Sequence, residues 1–174
     1  MSSVILRHTI RAIILILIQV LVLKRIGLGT SWIALNTDIF IYPLIIFMLP
    51  FRLFRHYVIL IGFCVGLMID MFYDTIGVHA FALTAVAYAR GILLSYLEPR
   101  GGYQLSMNPT IRSLGLNWVL TFTALSLVIH SFLYYTAEIF TFVYIGKILI
   151  KTVMTTTLSL VVIMGYHYLF NPRS

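Results

Sequence analysis

The sequence predicts an all-α integral membrane protein, a six-span helical bundle, on three observations. Of 174 residues, 61% are hydrophobic and 10% charged, against roughly 25% charged for an average soluble domain. The mean hydropathy is +1.02, and apolar stretches of bilayer-crossing length recur along the whole chain. One crossing helix takes about 20 apolar residues, so six take roughly 120 and leave room only for short loops. The chain therefore reads as one six-span transmembrane domain over 1–174, with no soluble linker, low-complexity tract or internal repeat.

Spans are expected at about 4–23, 33–51, 56–72, 76–96, 114–137 and 149–170. The first, VILRHTIRAIILILIQVLVL, has the basic flank of a secretory signal, but no small-residue cleavage site precedes Lys24-Arg25, so it is expected to persist as a span. The second carries Pro43 and Pro50. Asp70 and Asp74 lie in a tight connection between the third and fourth, and Arg90 interrupts the fourth, which leaves a five-span reading open. The fifth is uncharged from Ser113 to Ala137 and the sixth from Thr152 to Pro172. The longest loop, LEPRGGYQLSMNPTIRS (97–113), with two prolines and two glycines, reads as a turn region. Cys64, alone in an apolar run, forms no intrachain disulfide and is expected to be a small packing residue.

The formal charge of +7 comes from 12 Lys and Arg against 5 Asp and Glu, with no basic run or motif for nucleic acid. It divides by side. An N-terminus placed inside puts Arg7, Arg11, Arg52, Arg55, Arg90, Arg100, Arg112 and Arg173 inside, against Lys24, Arg25, Lys147 and Lys151 outside. Asp38, Asp70, Asp74 and Glu138 fall outside and Glu98 inside. Positive charge collects on the cytoplasmic side, so both termini are expected there.

Asp70 and Asp74, four apart, would share a helix face, as an acid–base pair or metal site requires. If the third span ends near residue 72, Asp74 is solvated in the outer turn and Asp70 lies about one turn deeper, where a carboxylate needs a partner. Thr75, His79 and the amides opening the next span are the candidates, and a structural tie is favoured over catalysis. Asp-x3-Asp-x4-His lacks a second histidine for a zinc site. Gly-x-Ser-x-Gly, Ser-x-x-Lys and His-Glu-x-x-His are absent. No enzyme activity, metal or cofactor is expected.

Gly62-x3-Gly66 is a close-packing face, expected to join neighbouring spans in preference to two copies in a homodimer. Asn117 and His130 are polar groups within the fifth span, with an interhelical hydrogen bond expected for His130. Glu138 ends that span among Tyr134, Tyr135, Phe140, Phe142 and Tyr144, an aromatic belt where it is solvated or meets a partner. Lys147 and Lys151 are expected to snorkel to the outer surface.

The stretch YPLIIFMLPFRLFRHYVILIGFCVGLMIDMFYDTIGVHAFALTAVAYARG (42–91) resembles MreD, the small multispan rod-shape-determining family of bacteria. The matching parts are Pro43 and Pro50, then the basic turn of Arg52 and Arg55, then Gly62-x3-Gly66-Leu-x2-Asp70, and Gly77-Val-His79-Ala80 opening the next span. EPRGGYQ and the segment from Pro109 to Arg112 resemble one branch of that family. At Asp74 the chain departs from it, with Phe72-Tyr73-Asp74-Thr75-Ile76 where glycines and serines are common.

The resemblance implies a non-enzymatic scaffold of the cell-wall elongation machinery in the bacterial inner membrane. It implies MreC as partner, with influence on RodA and its transpeptidase and indirectly on MreB, and surrounding membrane lipid. It implies a fold similar to the substrate-binding subunits of energy-coupling-factor transporters. Gly62, Gly66, Asp70, Gly77, His79, Arg52, Arg112 and Glu138 become architectural or partner-contact candidates. The competing reading is a substrate-binding membrane subunit of a vitamin-type transporter, against which the first span shows no Ala-x3-Ala docking face. An intramembrane hydrolase using Asp70 and Asp74 is the third.

Overall fold

The computed structural model describes residues 2–26, 37–103 and 109–170, without the side chains of 2–5, 7 and 142. All regular structure among them is helical. Helix α1 (Ser2–Leu17) continues through a π-helical stretch (Ile18–Leu23) into α2 (Lys24–Ile26). There follow α3 (Leu44–Phe47), α4 (Arg55–Tyr73), α5 (Val78–Tyr96), α6 (Ile111–Leu114), α7 (Leu116–Ile139), a 3-10 turn (Phe142–Tyr144) and α8 (Ile145–Phe170).

Helices α4, α5, α7 and α8 are long and apolar enough to cross a bilayer, with a shorter apolar stretch at His8–Leu23. They leave large apolar side chains outward: Leu60 and Met71 on α4, Phe81 and Ile92 on α5, Val153 and Val161 on α8. In water such faces would aggregate; in lipid they are the expected exterior. The chain is an all-α membrane protein. Cys64 is on that exterior, not in the packing role expected of it.

Neighbouring long helices run antiparallel. Trp118 Nε1, opening α7, donates to the Leu97 carbonyl after α5 (2.8 Å), while the rings of Tyr134 and His79 meet 4.8 Å apart at the far ends. The α4–α5 turn uses Asp74 at φ 56° and Gly77 at φ 79°, two residue types suited to left-handed backbone. Beneath it α4 and α5 nearly touch. A Cβ on Gly66 would lie 2.5 Å from Ala80 Cα, and one on Gly62 would lie 3.0 Å from Ala87 Cβ. The Gly-x3-Gly face is thus consumed between two spans of one chain.

The second expected span departs from a helix. Residues 33–36 lie outside the described residues; 37–41 have no regular structure, and Leu44–Phe47 form one helical turn. Proline explains this locally: Pro43 has no N–H and disfavours helical backbone at Tyr42, and Pro50 acts likewise beyond the turn. Residues 40–49 are all buried, with Phe40, Tyr42, Leu44 and Ile46 wholly enclosed by the helices. The segment starts beside the α7–α8 turn, where the Asp38 N–H reaches the Tyr135 hydroxyl (3.3 Å). It ends at the opposite end of the bundle, where Arg90 donates to the Leu49 carbonyl (2.5 Å).

Irregular backbone at membrane depth survives only inside protein that satisfies its polar groups. Three donor–acceptor contacts do so here. Ser159 Oγ accepts from the Phe40 N–H (2.8 Å), Gln19 Oε1 accepts from Ile41 N–H (2.9 Å), and Gln19 Nε2 donates to the Ile39 carbonyl (3.0 Å).

Candidate functional site

The α4–α5 turn is built around Asp70, which is 2% exposed. Its Oδ1 accepts from the Thr75 hydroxyl (2.5 Å), the His79 N–H (3.0 Å) and His79 Nδ1 (3.0 Å), and its Oδ2 accepts from the Ala80 N–H (2.9 Å). The amides of His79 and Ala80 open α5, where backbone donors have no helical acceptor and the helix dipole favours negative charge. Asp70 thus caps α5 from α4. Thr75 adds a contact to His79 Nδ1 (3.1 Å), and its own N–H bonds the Asp70 carbonyl (3.2 Å).

Gly66 admits the same first turn of α5 one helical turn away, and Gly77 supplies the backbone that delivers it. Asp74 is exposed at the tip of the turn, so the two aspartates occupy different environments and form no shared-face dyad. With both Asp70 oxygens engaged by amide, hydroxyl and imidazole donors, the group is arranged to hold α4 and α5 together. Among the described residues no group of three or more His, Cys, Asp or Glu could hold a metal ion.

Below the turn, His79 joins an aromatic cluster at the centre of the bundle. Its ring lies 4.8 Å from those of Tyr73 and Tyr134 and 5.7 Å from that of Tyr42. The Phe40 ring packs edge-on against Tyr134 (4.8 Å) and His130 (5.0 Å). The bond expected of His130 is made by Nε2 to the Tyr42 hydroxyl (2.7 Å), on the irregular segment and not on a helix. Gln19 reaches the cluster from the π-helical stretch, donating to the Tyr73 hydroxyl (2.7 Å).

At the α7–α8 end, the Tyr135 hydroxyl sits between Thr155 Oγ1 (2.5 Å) and Asp38 Oδ2 (3.4 Å). Lys151 stands over the Tyr135 ring (4.8 Å) and pairs with Glu138 (3.4 Å). Its burial, 7% exposed, corrects the expected snorkelling lysine. Its carboxylate partner lies across the turn, so the ammonium turns inward to Glu138 and Tyr135 instead of outward to water. Glu138 keeps 38% of its side chain exposed, as a group that is both paired and available.

Arg52 and Arg112 are exposed at the opposite end, near the start of α4 and on α6, apart from the Asp70 turn. Asn117 is exposed too, near the start of α7, and not within a buried span. Gln19, Tyr42 and Ser159 were not among the sequence candidates. Gln19 alone carried a signal, as an amide inside an apolar span; a serine on a helix and a tyrosine before proline carried none.

No family model matches the chain, and no curated protein or solved structure matches it either.

Proposed function

We propose that this chain is a non-enzymatic scaffold of the MreD kind, a bacterial inner-membrane protein that binds MreC and through it influences RodA, its transpeptidase and MreB. The observation that supports this reading is that residues 62–80, inside the stretch 42–91 where the resemblance is strongest, tie α4 to α5. Gly62 and Gly66 let α5 onto α4, and Asp70 holds the first turn of α5 with three hydrogen-bond contacts and the connecting turn with a fourth, from Thr75. A motif spent on rigidity suits a protein that presents a fixed lateral surface to partners.

In this reading the chain crosses the membrane six times, five times as helix and once as the irregular segment 37–51 wrapped by the others. Arg11, Arg52, Arg55, Arg90 and Arg112 gather at one end of the bundle, and Lys24, Asp38, Asp74, Glu138 and Lys147 at the other. The arginine-rich end is assigned to the cytoplasm and the half-exposed Glu138 to the outer face offered to MreC. Thiol labelling of Asp74→Cys from outside and of Arg55→Cys only after permeabilisation checks the orientation.

The deciding experiment is affinity purification of the tagged chain with MreC, together with depletion in a rod-shaped host. Recovery of the complex and rounding of the cells are expected. Unchanged shape without a complex overturns the proposal.

The transporter-subunit reading draws on the unwound crossing, a device by which transporters build substrate sites. Here Phe40, Tyr42, His79, His130 and Tyr134 occupy that position with one another's rings. A vitamin-class ligand retained through purification would favour it.

A further inference from the structure

At the arginine-rich end, an open cleft of about 670 Å³ is lined by Arg55 of α4 and by Gly91, Ile92, Ser95 and Tyr96 of α5. Gly91 faces outward, and a Cβ there would meet nothing within 4 Å. Arg55 is held at the mouth. Its guanidinium carbon lies 3.7 Å from the centre of the Tyr88 ring, and Nη2 donates to the Tyr88 carbonyl (3.4 Å). Stacking occupies the flat face of the group and leaves N–H donors along its edge for an anion. Arg55 takes no part in the ion pairs His79–Asp70 and Lys151–Glu138.

We propose that this cleft binds the phosphate headgroup of an anionic phospholipid, with Arg55 and Ser95 as the headgroup donors. Two features argue for a lipid source. Tyr88, Ile92 and Tyr96 are spaced four residues apart and form one exposed stripe on α5, 53%, 58% and 81% accessible. That stripe runs from the cleft toward the bilayer centre and offers an acyl chain apolar surface below a polar mouth, with Tyr96, the last residue of α5, at the level where aromatic belts sit. Charge is complementary as well, since the mouth lies at the end that carries exposed Arg52, Arg100 and Arg112 against Glu98, and, on the orientation proposed above, basic clefts between helices on the cytoplasmic side suit anionic headgroups.

The test is native mass spectrometry of the purified full chain in detergent, titrated with a phosphatidylglycerol and, separately, with the phosphatidylcholine of the same acyl chains. Wild type is expected to prefer phosphatidylglycerol roughly five-fold, the worth of one basic residue near an anionic surface. Arg55→Gln removes the charge, and Gly91→Leu fills the cleft while leaving Arg55 in place; both positions are exposed, and both variants should lose the preference. Equal binding of the two lipids by wild type, or a preference that survives either substitution, overturns the proposal. Inorganic phosphate that binds as well as the lipid marks a small-anion site and overturns it too.

Discussion

The hydroxyl of Tyr42 and Nε2 of His130 lie 2.7 Å apart, both residues fully buried, and their bond fastens an irregular stretch of backbone to the middle of a long helix. The same task is done by Ser159 from α8 and by Gln19 from the π-helical stretch. A π turn offsets the side chains that follow it from ordinary helical register, and such turns gather where a helix must aim one group. Here that group is Gln19, which contacts Ile39, Ile41 and Tyr73 at once.

Tyr42→Phe should therefore destabilise the protein without emptying the core, since only an oxygen is lost. His130 Nε2 is left buried without a partner, at a cost of about 1–3 kcal/mol. Equilibrium unfolding in mixed micelles reads the loss, and a double-mutant cycle with His130→Leu isolates the pair. A coupling energy of about 1 kcal/mol is expected; additive single effects would show that the bond contributes nothing.

Gln19→Leu keeps the volume and removes every polar contact of the residue 19 side chain. The Ile39 carbonyl and Ile41 N–H then lie in the bundle without partners, which makes this the more damaging change. Amide hydrogen exchange resolved over 37–43 should quicken, with α4 and α5 little altered. Unchanged protection at Ile41 would show that Gln19 does not hold the segment.

The irregular segment is also where the sequence misleads. Residues 39–49 are as apolar as a spanning helix, and hydropathy registers burial without registering backbone shape. Pro43 disfavours helix locally, but the groups that make irregular backbone inside the bundle tolerable, Gln19 and Ser159, sit twenty or more residues away and become relevant only through packing. The α4–α5 turn was legible for the opposite reason. Asp70 finds its partners at Thr75, His79 and Ala80, all within ten residues and all presented by one short turn. Lys151 was misjudged because snorkelling describes a lysine alone, and its inward turn depends on Glu138 across a hairpin.

The glycines of α4 and α5 are graded by what lies opposite them. Gly66→Ala drives a methyl into the backbone of Ala80, and the helices must part, costing about 1–3 kcal/mol. Gly62→Ala meets the Ala87 methyl and the Leu83 carbonyl at 3.0 and 3.2 Å, a milder crowding. Gly91→Ala meets nothing and should raise stability slightly through helix propensity. Thermal denaturation in detergent should rank Gly66→Ala lowest, Gly62→Ala next and Gly91→Ala highest; a flat series would mean that α4 and α5 are not in close contact.

Asp70→Asn separates the capping role from the acid–base role. The amide keeps the size of the carboxylate but has one acceptor oxygen, so donors from Thr75, His79 and Ala80 can no longer all be satisfied, and its NH2 faces other N–H groups. A loss of about 1–3 kcal/mol is expected, with weakened protection of the first turn of α5. Asp74→Asn, at the exposed tip with φ 56°, should be silent, because asparagine adopts left-handed backbone as readily as aspartate. A catalytic pair would show another pattern, with both substitutions abolishing function in cells and both proteins remaining as stable as wild type. Measuring stability and cell shape for each variant decides between them, since capping by Asp70 predicts that any loss of shape follows the loss of fold at residue 70 and is absent at residue 74.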